Sequence, residues 1–529
     1  MMIGYQLTIN ASRHPQATAI VFADRRLDYR TLNNRACQAA QALLAEGIKQ
    51  GDRVATVARN SDAFIVLFFA AAKIGAVFVP INFRLTAPEI GRIIAKSGPK
   101  LLFCGNSMLP VTERLRDAGM LPKIVVVTDA AETIKIDDTP IFDGWLSPFP
   151  TDEPDIAVEA NDPQLLLHSS GTTGLPKGAV WTHATTLASC SAKIIDFDLG
   201  SDDATTVFGP LFHAGPLMDL AIPLLLRGGK LVIGASTGFD PEVVLRTAAA
   251  ERATVMTIYP TMWRRVLTLP SVEQFDLASL RLLLTGGEPI PLPVLREVYH
   301  RFPQAGFVNT YGSTEGGPIT TFLPPRDAQR KIGSVGMPAF SVEVRIADGE
   351  DRPLPRGEVG ELLVRSPFVC RGYWQLPEET ASSLRDGWWH TGDFARVDED
   401  GFIWIEGRKK DMIISGAENI YPVEVEQAIA TLAGVAEVAV IGVPDAEWGE
   451  AVMAYIVREP GAALGAAQIV EHCRRCLASY KKPRHISFVE ALPRTTVNKV
   501  AKTVLREWFA ASGGQAGIRQ DKSNGAQGS

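Results

Sequence analysis

A stretch rich in glycine and hydroxyl side chains has the composition of an anion-binding loop. Residues 169–178 read Ser-Ser-Gly-Thr-Thr-Gly-Leu-Pro-Lys-Gly and directly follow the apolar run Leu165–Leu167. Glycines let backbone N–H groups approach a phosphate, hydroxyls donate to it, and Lys177 adds a positive charge. Gly178 follows that lysine where a P-loop NTPase has Ser or Thr, so that class is excluded. The stretch predicts a phosphate-binding loop; a plain flexible turn is the alternative.

Two further motifs follow strand-like runs, the place where ligands bind in open α/β sheets. The motif Tyr-Gly-Ser-Thr-Glu at 311–315 ends in a carboxylate that could hold a hard cation against phosphates. Gly286 and Gly287 end the run Leu280–Thr285, and residues without side chains let a flat ring lie against the backbone. Both patterns fit a bound nucleotide, although Glu315 would also suit an exposed turn.

Three single residues could hold a nucleotide or act on reacting atoms. Asp393, in a Thr-Gly-Asp motif, offers a carboxylate that accepts hydroxyl protons, or it is a turn residue. Lys499 carries a long ammonium that can bridge two anions, or it is a surface lysine. His213 lies in an apolar run and is either a functional group or a core histidine with satisfied nitrogens.

The elements that would position these residues alternate between strand and helix. Thr86 and Glu89 have capping-box spacing at the start of an amphipathic helix that ends at Gly98. The apolar stretch Phe64–Ile81 predicts a buried helix that runs into a buried strand. Because strand-like and helical runs alternate as far as Tyr311, we expect parallel sheets covered by helices.

The pattern changes after Gly360. Short antiparallel strands are predicted there, with turns at Asp400-Gly401 and Gly407-Arg408. A compact α+β region of about 100 residues follows and is expected to form a separate domain. Ser512–Ser529 is rich in Gly, Gln, Ser and Asn and is expected to be disordered.

In their order along the chain, these motifs resemble those of the adenylate-forming superfamily of acyl-CoA synthetases, peptide-synthetase adenylation domains and beetle luciferases. The resemblance covers residues 5–508. It rests on the phosphate loop and on matches at 210–215, 286–289, 311–315, 391–393, 407–411, 415–419 and 493–499. It implies an α/β fold: a large N-terminal domain (1–407) of parallel α/β sheets plus a small β region, a hinge (408–411), a smaller mobile α+β C-terminal domain (412–509), and a disordered tail (510–529).

The resemblance also implies a site for ATP and Mg²⁺. Tyr311 would stack on adenine, Thr314 would contact the α-phosphate, and Asp393 with Arg408 would hold the ribose. The implied ATP-binding residues are Ser169, Ser170, Gly171, Thr172, Thr173, Gly174, Lys177, Gly287, Glu288, Pro289, Tyr311, Asp393 and Arg408. Catalytic roles are implied for Lys499, Thr314, Glu315 and His213, with Mg²⁺ bound to Glu315.

Two positions depart from the commoner pattern of the superfamily. Most relatives have Gly before the catalytic lysine, whereas this chain has Asn498, as some aryl-acid ligases do. His168 and Ser169 replace the commoner aromatic-Thr pair that leads into the phosphate loop. Ser169 keeps a hydroxyl, so we still expect phosphate binding.

The second half of the implied reaction needs a thiol and a domain rotation. The resemblance places the hinge at Lys410 and implies coenzyme A contacts at Gly416, Trp448, Tyr480, Lys482 and Arg484. The implied acyl pocket is mainly apolar and comprises Phe212, His213, Met218, Tyr259, Trp263, Asn309 and Gly317. Amino-acid adenylation domains commonly have an Asp near His213, and 211–215 has none, so an acid without an α-amino group is expected.

These implications describe an ATP-dependent carboxylic acid:CoA ligase that makes an acyl-adenylate, then an acyl-CoA, and releases AMP and pyrophosphate. One alternative is an enzyme that loads the acyl group on a carrier-protein phosphopantetheine. A catalytically inactive binding protein and a luciferase-type oxygenase are others, and the retained Lys177, Glu315 and Lys499 argue against the inactive protein. The acid could be fatty, alicyclic or aromatic.

The composition favours small molecules as partners and argues against a nucleic acid. The 529 residues carry a net charge of −6, which gives no basic surface for a nucleic acid. Lys73 and Gly75 interrupt the most apolar stretch, so no transmembrane segment is expected, and the first ten residues lack the pattern of a signal peptide. Six scattered cysteines, two in a CxxC at Cys473–Cys476, suit a reducing cytoplasm. Whether the chain forms a homodimer is open.

Overall fold

The computed structural model describes residues 2–117, 119, 122–129, 139–169, 176–415, 418–495 and 499–512. It has four β-sheets with helices against them, which confirms the predicted α/β class with a large N-terminal and a smaller C-terminal domain. Several residues singled out from the sequence lie outside the described residues: Ser170, Gly171, Thr172, Thr173, Gly174, Gly416 and Asn498.

The strands are numbered in chain order. Within the described ranges they are β1 (Thr18–Phe22), β2 (Arg25–Asp28), β3 (Arg53–Val57), β4 (Val77–Pro80), β5 (Leu101–Gly105), β6 (Lys123–Val127), β7 (Pro163–Ser169), β8 (Lys177–Thr182), β9 (Ala204–Val207), β10 (Lys230–Ile233), β11 (Val255–Thr257), β12 (Leu282–Gly286), β13 (Gly306–Ser313), β14 (Gly317–Leu323), β15 (Met337–Pro338), β16 (Glu343–Ala347), β17 (Gly360–Arg365), β18 (Leu384–Arg385), β19 (Trp388–Val397), β20 (Ile403–Arg408), β21 (Ile413–Ser415), β22 (Glu418–Ile420), β23 (Val435–Asp445), β24 (Gly449–Arg458) and β25 (His485–Phe488).

The α-helices are numbered in the same way. They are α1 (Ile3–Arg13), α2 (Tyr29–Ala45), α3 (Asp62–Lys73), α4 (Ala87–Ser97), α5 (Leu109–Asp117), α6 (Phe142–Leu146), α7 (His183–Asp196), α8 (Ala214–Pro216), α9 (Ile222–Arg227), α10 (Pro241–Ala250), α11 (Pro260–Leu267), α12 (Leu292–Arg301), α13 (Pro377–Ser383), α14 (Pro422–Ala430), α15 (Ala466–Cys476) and α16 (Lys502–Ala511). A π-helical turn, Leu217–Ala221, joins α8 to α9.

Two large sheets with parallel centres form most of the N-terminal domain, as predicted. One has the strand order β15-β14-β13-β12-β11-β9-β10-β1-β2, and the other has the order β6-β5-β3-β4-β7-β8. Among the described strands of these two sheets, antiparallel pairs occur only towards the edges, at β1–β2, β13–β14–β15 and β7–β8. The parallel strands therefore end at shared edges, where loops from distant parts of the sequence meet.

One buried cluster contains residues of both large sheets, among them Ile20 and Leu231 of the first and Val54 of the second. The predicted helix and strand in Phe64–Ile81 are α3 and β4, and every residue of both is buried. Phe64 and Phe78 meet edge to face with their ring centroids 5.1 Å apart. Full burial of such a side chain contributes about 1.5–3 kcal/mol. Among the described residues no helix is both long and apolar enough to span a membrane.

The third sheet is the predicted small β region. It has the order β16-β17-β19-β18, with β20 paired to β19, and its strand pairs are antiparallel. Gly401 has φ +89° and allows the predicted turn before β20. The predicted turn at Gly407-Arg408 is wrong, because β20 continues through both residues and pairs Arg408 with Asp393.

The C-terminal domain has a sheet of its own. Its order is β22-β21-β24-β23, with β25 parallel to β24, and buried clusters lie on both faces. The last helix, α16, ends at Ala511, so Ala510 and Ala511 belong to a helix rather than to the expected tail. The six cysteines, all in the described ranges, are free thiols.

Candidate active site

Lys177 and Glu315 belong to different sheets, and both contact Tyr373. Lys177 begins β8, and its ammonium lies 5.0 Å from the centre of the Tyr373 ring. The Tyr373 hydroxyl donates to Glu315 Oε1 at 3.0 Å. The end of the predicted phosphate loop and the predicted metal ligand are therefore neighbours. Sequence reasoning missed Tyr373, because no spacing relates it to either motif.

Thr314 and Glu315 occupy a hairpin fixed by backbone contacts. The Thr314 carbonyl accepts from Trp181 Nε1 at 3.1 Å, and the Glu315 carbonyl accepts from Cys370 N at 2.8 Å. A Cβ at Gly312 would lie 2.3 Å from the Gly317 carbonyl oxygen, so this hairpin closes only with glycine there. The Glu315 side chain is thereby held, buried, at the end of β13.

Asp393 lies between Arg408 and Tyr311, three residues that the sequence assigned to the nucleotide. Asp393 and Arg408 are cross-strand partners, with Arg408 Nε 2.7 Å from Asp393 Oδ1. Tyr311 donates its hydroxyl to Asp393 Oδ2 at 2.5 Å. Burial raises the pKa of Asp393, whereas the Arg408 charge and the Tyr311 hydrogen bond oppose that rise. The result is a buried carboxylate in a fixed orientation.

The Gly-Gly-Glu-Pro segment, residues 286–289, follows β12. A Cβ at Gly286 would lie 2.2 Å from Thr310 Oγ1, and Gly287 has φ +85°, so both positions favour glycine. Glu288 Oε1 accepts from the backbone N of Thr261 at 3.1 Å. Burial raises the pKa of Glu288, and the charges of Arg494, Lys499 and Arg264 oppose the rise.

Lys499 comes from the C-terminal domain to the same place. Its backbone N donates to Thr495 Oγ1 at 3.1 Å, and its carbonyl accepts from Thr495 N at 2.7 Å. Burial, and next the charge of Arg408, lower the pKa of its ammonium; the carboxylates of Glu288, Asp393 and Glu315 oppose this. Lys499 therefore lies within electrostatic reach of three carboxylates of the N-terminal domain.

His213 lies within electrostatic reach of Lys499. It caps α8, and its Nδ1 accepts from Gly215 N at 3.3 Å. Burial lowers the pKa of His213 to about 4, helped by the charges of Lys499 and Arg84. The ring is therefore neutral near pH 7, and because Nδ1 accepts, Nε2 carries the proton.

The residues expected in the acyl pocket do not all come together. Tyr259 lies against Gly209 and Gly215, and Met218 is buried in the π-helical turn. Besides His213, described above, four remain: Phe212, which packs on Phe83; Trp263, which packs on Phe302 in a separate buried cluster; Asn309, whose Nδ2 donates to Ser334 O at 2.8 Å; and Gly317, which packs on Phe368.

Asp219 lies beside Tyr259 and was also missed from the sequence. It is buried in the π-helical turn, and its Oδ2 accepts from the Tyr259 hydroxyl at 3.4 Å. Asp219 lies outside residues 211–215, where amino-acid adenylation domains commonly have an Asp. A polar residue in the otherwise apolar run that ends at Leu226 was the signal in the sequence that could have found it.

The predicted hinge and coenzyme A residues lie on the C-terminal side. Lys410 is exposed in a 3₁₀ turn, Lys409–Asp411. The guanidinium of Arg484 lies 4.7 Å from the centre of the Trp448 ring. Lys482 Nζ donates to Ser479 Oγ at 2.9 Å. Tyr480, between these two residues in the sequence, is exposed.

Comparison with known proteins identifies the family. A model of the AMP-binding enzyme family matches residues 7–374, and a model of the AMP-binding enzyme C-terminal domain matches residues 424–499. The chain belongs to the AMP-binding enzyme family. This confirms the resemblance inferred from the motifs.

Other AMP-binding enzymes are similar along nearly their whole length. A feruloyl-CoA synthase of Amycolatopsis sp. is 39% identical, over 94% of this chain and 97% of its own. The long-chain-fatty-acid–CoA ligase FadD13 of Mycobacterium tuberculosis is 35% identical, over 96% and 99%. The crystal structure of the anthranilate CoA ligase AuaEII in complex with anthranoyl-AMP superposes with a TM-score of 0.88 at 30% identity, over 97% and 98%.

Proposed function

We propose that this AMP-binding enzyme is an ATP-dependent carboxylic acid:CoA ligase. The acid and ATP give acyl-AMP and pyrophosphate, and the thiol of coenzyme A then displaces AMP to give the thioester. One observation carries the proposal: the charge of Lys499, a residue of the C-terminal domain, interacts with the carboxylates of Glu288, Asp393 and Glu315 in the N-terminal domain. An ammonium there can stabilise the charge that develops between the substrate carboxylate and the α-phosphate.

The nucleotide side of the site supports the first half-reaction. An ionised carboxylate has about four acceptor positions, and Asp393 uses two of them, one for Arg408 and one for Tyr311. Two positions remain for the ribose hydroxyls. Tyr311 and the bare backbone at Gly286 and Gly287 are proposed to hold the adenine, and residues 169–177 to hold the phosphates.

Mg²⁺ fits this site as an ion that arrives with ATP. Among the described residues no group of three His, Cys, Asp or Glu side chains could enclose a metal. Mg²⁺ commonly keeps several waters and is held by one or two carboxylates together with substrate phosphates. Glu315, beside Lys177, suits that role. When bound there, the ion would neutralise charge on the pyrophosphate leaving group.

The C-terminal domain would supply the second half-reaction after rotating about Lys410. Trp448, Tyr480, Lys482 and Arg484 give that domain two aromatic rings and two cations, which suit a phosphorylated nucleotide such as coenzyme A. Gly416 lies outside the described residues, and its place beside the thiol tunnel stays a prediction. Rotation explains why one small domain carries both sets of residues.

The substrate is proposed to be a small carboxylic acid without an α-amino group. His213 is neutral near pH 7, and residues 211–215 contain no aspartate that could pair with an ammonium. The acceptor is proposed to be free coenzyme A, with a carrier-protein phosphopantetheine as the alternative.

A two-part assay tests the proposal. The first part incubates a panel of fatty, alicyclic and aromatic acids and α-amino acids with MgATP and hydroxylamine, which traps acyl-adenylates. The second replaces hydroxylamine with coenzyme A or with a phosphopantetheinylated carrier protein. Trapping and thioester formation with coenzyme A are expected. Thioester with the carrier alone would establish the alternative, and nucleotide binding without any turnover would contradict both.

A further inference from the structure

Glu361 is a buried carboxylate that lies between the nucleotide side of the site and the predicted hinge. It belongs to β17, and 7% of its surface is exposed. Its Oε1 accepts from the backbone N of Gly392 at 3.2 Å, and its Oε2 accepts from Lys409 Nζ at 3.0 Å. One side chain therefore binds both the residue that precedes Asp393 and the residue that precedes Lys410.

The contact with Gly392 helps to orient the backbone that carries Asp393. Gly392 has φ +69°, a left-handed conformation that favours glycine, so the chain turns directly before Asp393. The hydroxyl of Thr391 donates to Leu362 O at 2.7 Å and accepts from Asp393 N at 3.0 Å. Two consecutive residues of β17, Glu361 and Leu362, thus hold residues 391–393 in place.

The contact with Lys409 holds the start of the hinge segment to the N-terminal domain. Lys409 begins the 3₁₀ turn Lys409–Asp411, and 54% of its side chain is exposed. A lysine with that exposure gains little from a solvated partner, but the Glu361 oxygen is buried and fixed. Because both partners precede Lys410 in the chain, a rotation about Lys410 leaves this ion pair intact.

A second ion pair holds the other end of the turn to the C-terminal domain. Asp411 Oδ1 accepts from Arg506 Nη2 at 2.8 Å. Arg506 lies in α16, whose Leu505 and Phe509 belong to a buried cluster with residues of β23 and β24. Lys410, between the two held residues, is exposed. The residues on either side of Lys410 are therefore tied to different domains.

We propose that Glu361 is a positioning residue with two roles: one oxygen orients the backbone before Asp393, and the other holds Lys409 so that the chain turns at Lys410 alone. The inference rests on the proposed ligase function with its rotation about Lys410, and deepens it. With Lys409 and Asp411 both held, the C-terminal domain turns as one body. When Lys409 is released, the rotation spreads over neighbouring residues, and a smaller fraction of molecules brings the thiol to the acyl-AMP.

Variants at the two ends of the ion pair separate these roles. Lys409→Met leaves Glu361 bound to Gly392, so KM for MgATP in pyrophosphate release should stay within about twofold of wild type. Conversion of enzyme-bound acyl-AMP to acyl-CoA in a single turnover, which requires the rotation, should slow by about 2- to 5-fold. Lys409→Arg keeps the cation and should keep the wild-type rate.

Glu361→Ala removes both contacts and should show both defects. The conversion of acyl-AMP to acyl-CoA should slow by the same factor as in Lys409→Met, and KM for MgATP should rise by about 3- to 10-fold, because Gly392 N loses its acceptor. In the double variant the conversion should be no slower than in Glu361→Ala, since both changes remove one and the same ion pair.

Hydrogen–deuterium exchange reports on the hinge without any turnover. Met412 N donates to Arg408 O at 3.1 Å across the turn, so a peptide that spans the turn contains an amide whose exchange depends on the order of the hinge. In Lys409→Met and in Glu361→Ala the exchange of this peptide should be about 2- to 5-fold faster than in wild type.

Glu343→Gln is the matched control, because it breaks an exposed ion pair with Arg365 that joins the edge strand β16 to β17 in the same sheet. It should change neither KM for MgATP, nor the conversion, nor the exchange.

The outcomes separate this inference from the ligase function. Wild-type conversion and exchange in Lys409→Met, an unchanged KM for MgATP in Glu361→Ala, or losses that multiply in the double variant would each overturn the inference while the ligase function stands. A wild-type enzyme that forms acyl-AMP but no thioester on coenzyme A would contradict the ligase function. The exchange and the KM for MgATP would then still decide the roles of Glu361.

Discussion

Arg264 in α11 and Glu437 in β23 form an ion pair across the boundary between the two domains. The other Glu437 oxygen accepts from Arg494 at 2.7 Å, and Arg494 begins the segment that leads to Lys499. This carboxylate therefore ties the segment that carries Lys499 to the N-terminal domain.

Neutralising Glu437 should slow adenylation more than acyl transfer. In Glu437→Gln we expect pyrophosphate release to fall about 2- to 5-fold, because a partly exposed ion pair contributes up to about 1 kcal/mol. Transfer from supplied acyl-AMP to coenzyme A should not fall, since the proposed rotation breaks the contact. Single-turnover kinetics of each step measure this. Glu343→Gln, which breaks the exposed pair with Arg365, is the control and should change neither step.

Removing the Tyr373 hydroxyl should raise the KM for MgATP. Tyr373→Phe frees Glu315 Oε1 from its hydrogen bond but keeps the ring beside Lys177, so we expect roughly a 3- to 10-fold rise in KM for MgATP from loss of about 1 kcal/mol. The measurement is the MgATP dependence of pyrophosphate release. A lower KM with kcat unchanged would show that the hydroxyl competes for the carboxylate rather than orienting it.

The Asp219 carboxyl should make stability fall as the pH rises. Its pKa is raised from 3.8 to about 7 by burial, so between those values the native state holds a proton that the unfolded state has lost. The contribution of this carboxyl to the free energy of unfolding has its full value below pH 3.8 and is lost as the pH rises through about 7. Lys193 and Tyr259 are the charged and titratable groups that act on it.

Thermal unfolding of wild type and Asp219→Asn from pH 5 to pH 8 checks this sign. The melting temperature of wild type minus that of the variant should decrease towards about pH 7 and then level off. A difference that stays constant over this range would contradict a raised Asp219 pKa.

Local sequence was enough to predict the elements that local interactions determine. Helix α4 begins at the predicted capping box of Thr86 and Glu89 and ends at Gly98, which is left-handed as expected. The buried α3 and β4 followed from a run of apolar residues. Motif order was enough to predict the family, and the structure brings Tyr311, Asp393, Arg408 and Lys499 into electrostatic contact.

Contacts between distant parts of the chain could not be predicted in this way. Gly407-Arg408 has the composition of a turn, but pairing with β19 keeps it in a strand. Tyr373 and Asp219 match no motif, and only the fold brings them to Glu315 and Tyr259. The ion pair of Lys502 in α16 with Glu426 in α14, at 2.8 Å, likewise joins residues that no local pattern relates.

Lys499 is proposed to act in adenylation and to take no part in acyl transfer. Lys499→Ala should slow single-turnover formation of acyl-AMP by about 10²–10³, the typical cost of losing one preorganised charged contact to a transition state. Transfer from supplied acyl-AMP to coenzyme A should stay near the wild-type rate, because the rotated domain carries Lys499 away.

Lys502→Ala is the matched control for this measurement. It removes a lysine three residues further along, with its ion pair to Glu426, and should leave both steps within about threefold of wild type, since a partly exposed pair contributes at most about 1 kcal/mol. The decisive measurement is the ratio of the two single-turnover rates in Lys499→Ala. Adenylation is expected to fall at least about 100-fold relative to transfer. Equal losses in both steps, or no loss in the first, would contradict the proposed role of Lys499.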